Sequence, residues 1–323
     1  MTSRSTPYGR GGGALHARVA VLTYQRQGLL ADLLPQLVTQ VEELCAWTGG
    51  TGDVLVVDND PEGSARDVCA AVPEVCYVLE RTPGIAAGRQ RALEESADVD
   101  VLQFIDDDEE PATGWLLAMV ATWWQQGRPD VVAGRILPRF AAPPSPWVAS
   151  GRFFDRRDLA TGTPVDVAGT NNMLIDIDRV RRLGVGFDPS LGLHGGEDTL
   201  FSAQLVRAGG RIVFCREGAV HDLVPAERST RSWVLQRAWY HGQTRSLVAT
   251  HLARTGRQRG WLRLTLLISG SGRLVLGAAQ SCLGLLLRDD RTHARGLWMV
   301  HRARGVMSGA LRAGPAEYGR PGR

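Results

Sequence analysis

Five consecutive acids, Asp106-Asp107-Asp108-Glu109-Glu110, end the apolar run at residues 101–106 and stop at Pro111. Carboxylates side by side repel, and a strand end is a rigid place to hold them. A divalent cation relieves the repulsion; hard oxygen donors suit Mg2+ or Mn2+, ions commonly shared with substrate phosphates. Taken alone, the run also reads as a solvated acidic turn. A second group, Gly195-Gly196-Glu197-Asp198, sets two acids at a helix start where glycines let a ligand approach the backbone. One carboxylate can cap the helix while the other stays free as a general base, although the pattern is also an ordinary way to begin a helix. His221 stands alone after a strand, as a structural residue or as one that completes a metal shell with the acids. Asp58-Asn59-Asp60 ends another strand and suits either hydrogen bonds from a ribose or base or an Asx turn. Arg81, Arg89 and Arg91 surround the helix start Pro83-Gly84-Ile85, where dipole and guanidinium together favour a diphosphate; a solvated helix face is the alternative.

These groups need a scaffold that brings strand ends together. Strand patterns at 17–23, 53–58, 75–80 and 101–106 alternate with helical spacing at 29–45, 63–71 and 85–96. That alternation predicts an α/β fold with a mostly parallel sheet, whose ligands sit beyond the carboxyl ends of the strands. Thr23, Asp58 and Asp106 to Asp108 are therefore expected on one crevice. Farther on, 138–146 with its four prolines reads as a loop and 167–177 as a strand interrupted by polar residues. A helix at 197–208 is entered through the turn 192–196 and stopped by Gly209-Gly210, and a strand follows at 211–215. Ser229 or Thr230 caps a helix reaching about Thr250, ahead of an apolar stretch at 264–287.

Composition removes several classes. All 37 basic residues are arginine, which excludes a lysine Schiff base and a phosphate-binding P-loop lysine and leaves cation-assisted chemistry to arginine or a metal. The glycine run at 9–13 precedes a strand instead of following one, so it is no dinucleotide fingerprint. Cys45, Cys69, Cys76, Cys215 and Cys282 are odd in number and scattered, as reduced packing residues are. The first residues lack the apolar core of a secretory signal, which predicts a cytoplasmic location. A chain of 323 residues with 22% charged and 44% hydrophobic residues has room for about two domains and is neither disordered nor a polytopic membrane protein by composition.

Taken in order, the motifs resemble family 2 glycosyltransferases of the GT-A fold, with the subgroup of succinoglycan-type exopolysaccharide glucosyltransferases nearest in look. The resemblance rests on Thr23-Tyr24-Gln25-Arg26, Val56 to Pro61, Pro83 to Arg89, Ile105 to Pro111, Asn172 within 169–174, Gly195 to Asp198 and Val224 to Thr230, and spans about 18–242. It implies a Rossmann-like GT-A domain at 17–225, behind a flexible start at 1–16, with a helical appendage at 226–323. It also implies inverting transfer of a sugar from a nucleotide diphosphate sugar to an acceptor hydroxyl, in exopolysaccharide, glycolipid or secondary-metabolite biosynthesis. Asp58 would hold the nucleotide and Arg89 would approach the diphosphate, with Thr23, Tyr24, Arg26, Asp107 and Asn172 also toward substrate. Asp106 and Asp108 would form the D-x-D motif around Mg2+ or Mn2+, Asp108 being the principal ligand and His221 a further one. Asp198 would take the acceptor proton, with Glu197 as the alternative base if Asp198 caps its helix. Gln25, Gln90 and Leu22 depart from residues common in the family. A nucleotidyltransferase and a non-catalytic membrane or nucleic-acid adaptor are the competing readings.

The charge is unevenly spread. Residues 1–225 hold 20 arginines and 30 acids, whereas 226–323 hold 17 arginines and 4 acids. The tail has no recognised nucleic-acid module and its arginines are separated by leucine-rich segments, which favours an anionic membrane surface over nucleic acid. Residues 264–287 could span a bilayer in length, but Arg273 and Ser269-Gly270-Ser271-Gly272 lie near the centre. The expectation is two shorter helices lying in the interface, at the inner face of the cell membrane, within reach of a lipid-linked acceptor.

Overall fold

The computed structural model describes residues 13–191 and 195–311; residues 1–12, Gly192 to His194 of the expected helix-start turn, and 312–323 of the tail lie outside the described residues. Strand β1 (His16–Thr23) leads into helix α1 (Gln27–Thr48), β2 (Thr51–Asp58) into α2 (Arg66–Ala70) and β3 (Val75–Leu79) into α3 (Ile85–Glu95). Strand β4 (Val101–Asp106) turns into the short β5 (Glu109–Pro111) ahead of α4 (Trp115–Gln125). Then come β6 (Val131–Phe140), α5 (Pro146–Gly151), β7 (Pro164–Val165), β8 (Asn172–Asp176), α6 (Ile177–Arg182), α7 (Glu197–Arg207) and β9 (Ile212–Val224). Three long helices follow: α8 (Arg231–His251), α9 (Gly256–Leu287) and α10 (Asp290–Leu311).

The strands form one nine-stranded sheet in the order β3-β2-β1-β4-β8-β6-β9-β5, with β7 paired to β9. Its first half, β3-β2-β1-β4, is parallel, as the alternation of strands and helices requires. After β4 that alternation stops, and β8, β6, β9, β5 and β7 make antiparallel pairs, so the sheet is mixed. Helices cover both faces of the parallel half. On one face Leu30, Leu33, Leu34, Leu37 and Leu44 of α1 and Trp115, Met119 and Trp123 of α4 pack on Val19, Val21, Val54 and Val56. On the other, Ala92 and Leu93 of α3, Val180 of α6 and Phe201 and Leu205 of α7 pack on Leu55, Leu102, Phe104, Met173 and Ile175. Burial on both faces explains why β2 and β4 are nearly continuous apolar runs ending in a carboxylate.

The chain divides into two compact units, one built from 13–137, 156–191 and 197–222 and the other from 138–155, 195–196 and 223–311. Within the second unit, α10 packs on α8 and on α9 through small residues. A side chain at Gly305 would meet the Trp239 carbonyl of α8, one at Gly309 the Gln243 carbonyl, and Gly277 and Gly284 of α9 face Gly296 and His293 of α10. Backbones can approach this closely only where no Cβ intervenes. The Ser246 hydroxyl donates to the Val306 carbonyl at 2.8 Å across the same contact. Thr230 caps α8 by accepting from the Trp233 N–H.

The two short helices expected over 264–287 are in fact one, α9, which runs unbroken through Ser269-Gly270-Ser271-Gly272. Gly270 lies against Met307 and the Ala303 carbonyl of α10, so packing overrides the poor helix propensity of the segment. A substitution pair checks this seam by thermal unfolding. Gly305→Ala is expected to lower Tm by several degrees, whereas Gly272→Ala, where a Cβ meets nothing within 4 Å, holds or raises it, since alanine gains up to about 1 kcal/mol of helix propensity over glycine.

Candidate active site

Register places the site. In the parallel ladder Thr23 pairs with Asp58 and Leu22 with Asp106, so the carboxyl ends of β1, β2 and β4 finish flush. Strand β8 runs the other way and opens beside the end of β4, with Asn172 opposite Ile105. Strand β5 brings Glu109 opposite Asp222 and Glu110 opposite His221. The acids at the end of β4 are thus ringed by residues from five strands.

The acidic turn is held by arginines and a hydroxyl. Asp107 is buried; its Oδ2 accepts from the Thr23 hydroxyl at 2.9 Å and its Oδ1 from Arg26 Nη1 at 2.6 Å. The same Arg26 nitrogen reaches Asp108 Oδ2 at 3.2 Å. Arg89, itself buried on α3, donates Nη2 to Asp106 Oδ1 at 3.2 Å and Nη1 to the buried Glu197. Glu109 accepts from the Asp106 N–H and, at 2.7 Å, from Asn171 Nδ2. Burial lifts Asp107 to about 6 even with Arg26 pulling the other way. Burial also raises Asp106, with Asp108 adding to the lift and Arg89 opposing it. Glu109 is pushed well up, first by burial and then by the nearby Asp106 charge.

Crowded, desolvated carboxylates of this kind fit a hard divalent ion in their donor chemistry. Among the described residues no group of three or more His, Cys, Asp or Glu forms a ready cage. Two carboxylates on one turn, Asp106 and Asp108, match the way Mg2+ or Mn2+ is held by one or two protein ligands together with substrate phosphates. His221 is half-buried and in register with Glu110, one residue before the Asp222 that faces Glu109.

Several expected substrate groups are engaged within the fold. Asn172 is buried: its Oδ1 accepts from Trp115 Nε1 at 2.9 Å and Gln103 Nε2 at 3.3 Å, and its Nδ2 donates to the Arg135 and Gly218 carbonyls, both at 2.9 Å. All its hydrogen-bonding capacity goes to tying β8 to its neighbours, and Asn171 is the asparagine turned toward the acids. Asp58 is fully buried; its Oδ1 accepts from the Asp60 N–H, and its Oδ2 from the Ala65 N–H and the Tyr77 hydroxyl. It shapes the 60–65 loop, and burial with the Asp58 charge pushes Tyr77 up to about 12. Asn59 donates to the Glu80 and Thr82 carbonyls and accepts from the Gly84 N–H, latching the start of α3 to the end of β2. Gly84 has φ 120, a backbone open to glycine alone. Tyr24 is half-buried on the loop between β1 and α1.

Helix α7 starts after Gly195 and Gly196, both with positive φ, and its first two residues have separate fates. Glu197 is locked by Arg89, with its Oε2 buried and without a hydrogen-bond partner among the described residues. Asp198 is half-buried; its Oδ1 accepts from the Thr199 N–H and hydroxyl, and a Cβ on Gly169 would stand 3.8 Å from its Oδ2. The sequence reading held Glu109 only as one of the five acids and Asn171 only within the 169–174 motif, with no role for either, and it missed Asp222. Their signal was the two-residue strand period, visible only once β5, β8 and β9 are aligned.

Removing one member of a buried ion pair strands the other. Arg89→Met is expected to cost about 3–5 kcal/mol in denaturant unfolding, and Arg89→Met with Glu197→Gln to restore a large part of it by removing the orphaned charge on α7. Equal losses in the single and double variants would show that the pair does not couple α3 to α7.

The Glycosyl transferase family 2 profile matches residues 18–181 of this chain. The succinoglycan biosynthesis protein ExoM of Rhizobium meliloti (strain 1021) is 31% identical over 302 residues, which cover 92% of this chain and 93% of that protein. Among solved structures, the mannosyltransferase PcManGT from Pyrobaculum calidifontis in complex with GDP-Man and Mn2+ aligns with TM-score 0.54 at 17% identity, over 89% of this chain and 85% of that one. GalNAc-T7 with UDP, GalNAc and Mn2+ aligns with TM-score 0.52 at 14% identity, over 75% of this chain and 52% of that one, so the alignment spans about half of its length. The shared GT-A fold and the family match set aside the nucleotidyltransferase and adaptor readings. The chain belongs to glycosyl transferase family 2 and is a nucleotide-sugar glycosyltransferase.

Proposed function

We propose that the enzyme transfers its sugar with inversion and needs a divalent metal, Asp198 being the base. The observation that carries this reading is the division of labour at the start of α7: Arg89 immobilises Glu197, while Asp198 keeps a carboxylate oxygen outside its hydrogen bonds to Thr199. Asp198 takes the proton of the acceptor hydroxyl as the new C–O bond forms on one face of the anomeric carbon. The bond to the diphosphate breaks on the other face, which inverts the configuration. Asp106 and Asp108 would hold Mg2+ or Mn2+, which when bound offsets the negative charge of the departing diphosphate. Thr23 and Arg26 fix Asp107, and through it the conformation of the turn. The Mn2+ in the PcManGT and GalNAc-T7 complexes and their nucleotide ligands support this assignment. Asp198→Asn is expected to cut kcat by two or more orders of magnitude with nucleotide binding kept, Asp108→Asn to remove most activity with the fold intact, and EDTA to abolish turnover. A retained anomeric configuration in the product, or full turnover in EDTA, would overturn the mechanism.

We also propose work on a lipid-linked acceptor in exopolysaccharide assembly, at the cytoplasmic face of a membrane. The likeness to ExoM supports the pathway class. Helix α9 supports the location. It is long and apolar enough to cross a membrane, and Trp261, Leu264, Ile268, Val275, Leu276, Leu283, Leu286 and Leu287 are exposed on it. At 100° per residue these side chains share one broad face, and Arg273 lies at its margin. A face of this kind suits a helix lying in the interface, with the surrounding arginines toward anionic head groups. The full-length protein is expected to float with anionic vesicles at low salt, and Leu264→Gln with Ile268→Gln and Leu286→Gln to leave it in the soluble fraction.

A further inference from the structure

Two arginines serve the acids at the end of β4, and they are held very differently. The Arg89 side chain is 5% exposed and both its terminal nitrogens are engaged. That of Arg26 is 40% exposed, and Nη1 alone makes its two contacts, with Asp107 at 2.6 Å and Asp108 at 3.2 Å. Its backbone position is unfavourable in two ways. Gln25, just before it, has φ 54, a left-handed conformation that costs a residue with a side chain. Arg26 also occupies the N-cap of the 22-residue α1, the positive end of that helix, with no acid in the first turn to offset it. Asp107 and Asp108 are what hold a guanidinium there. Of the two contacts the longer one, to Asp108, is the more easily given up.

We propose that Arg26 is a resident counter-ion of the acidic turn: it holds Asp108 when no cation is bound and yields it to a divalent cation, whereupon its guanidinium turns to the diphosphate of the donor. This rests on the reading that Asp108 ligates the metal. Two cations cannot share one carboxylate oxygen without repulsion, so the arginine weakens metal binding in the donor-free enzyme. The diphosphate reverses this, because it binds the metal and gives the displaced guanidinium a new anion. Metal and nucleotide then bind with positive coupling, each raising the affinity for the other by the same factor.

The test is direct titration of the intact protein with Mn2+, with and without UDP, followed by calorimetry and by the free-Mn2+ resonance. Without nucleotide, Arg26→Gln is expected to bind Mn2+ about tenfold more tightly than the unaltered protein, the scale of one charge-assisted contact. Its metal-free Tm falls, and the factor by which UDP raises Mn2+ affinity shrinks. Arg26→Lys keeps the charge, and with it a folded turn, and is expected to fall between the two. Equal or weaker Mn2+ binding by Arg26→Gln, or weaker binding by Arg26→Lys, would overturn the counter-ion role while leaving metal dependence intact. No Mn2+ uptake by any of the three even with UDP would overturn the metal reading, and this proposal with it.

Discussion

The site depends on burying negative charge at the ends of parallel strands. Asp58, Asp107, Glu109 and Glu197 are all buried, and in this lysine-free chain only arginine and hydrogen-bond donors offset them. An unpaired buried carboxylate costs several kcal/mol, so each must find a partner or take up a proton. The fold answers with polar links that join secondary elements. Arg89 ties α3 to β4 and α7, Arg26 ties the start of α1 to the turn, and Asp58 ties β2 to its own loop and to β3. Arginine suits this task because its planar fork can serve two carboxylates and does not lose its charge.

The same links set the chemistry. Glu197 and Asp198 are neighbours of the same chemical type, yet one is locked against a guanidinium and the other is half-buried with an oxygen to spare. Asp106 and Asp108 share a turn with Asp107, which is fastened from both sides and keeps the turn in shape. Strain remains, first from burial and then from the nearness of like charges, seen in the upward shifts of Asp106, Asp107 and Glu109. A cation at this turn relieves that strain, which couples ligand binding to the stability of the site itself.

The second unit follows a different rule. Its three long helices meet through glycine, alanine and serine, with little side-chain volume between backbones, so the bulky apolar residues of α9 are left on the outer side. Leu264 to Leu287 reads in sequence as a hydrophobic segment broken at its centre. Gly270 there is instead a position of close approach to α10, and the helix continues through it and through the exposed Gly272. Propensity marks such glycines as breaks because it cannot see the partner helix.

The alternation of strands and helices was legible over the first 110 residues, since burial on both sheet faces leaves unmistakable apolar runs ending in Thr23, Asp58 and Asp106. In the antiparallel half β8 and the start of β9 were legible as strands, but β5, β6 and β7 and the pairing of all five were not, because β5 and β7 are short and the pairing is set by distant neighbours. The residues with the chemistry were likewise visible as types: acids in a row, acids at a helix start, an arginine after Pro83-Gly84. Which of two adjacent residues faces the site was decided by tertiary structure alone. Asn171 rather than Asn172 turns to the acids, and Arg26 rather than Arg89 keeps an exposed guanidinium. A strand's two faces differ only by what packs on each, so the sequence by itself determined the fold class and the inventory of charged groups, while the packed sheet decided which of those groups hold the fold and which remain open to a ligand.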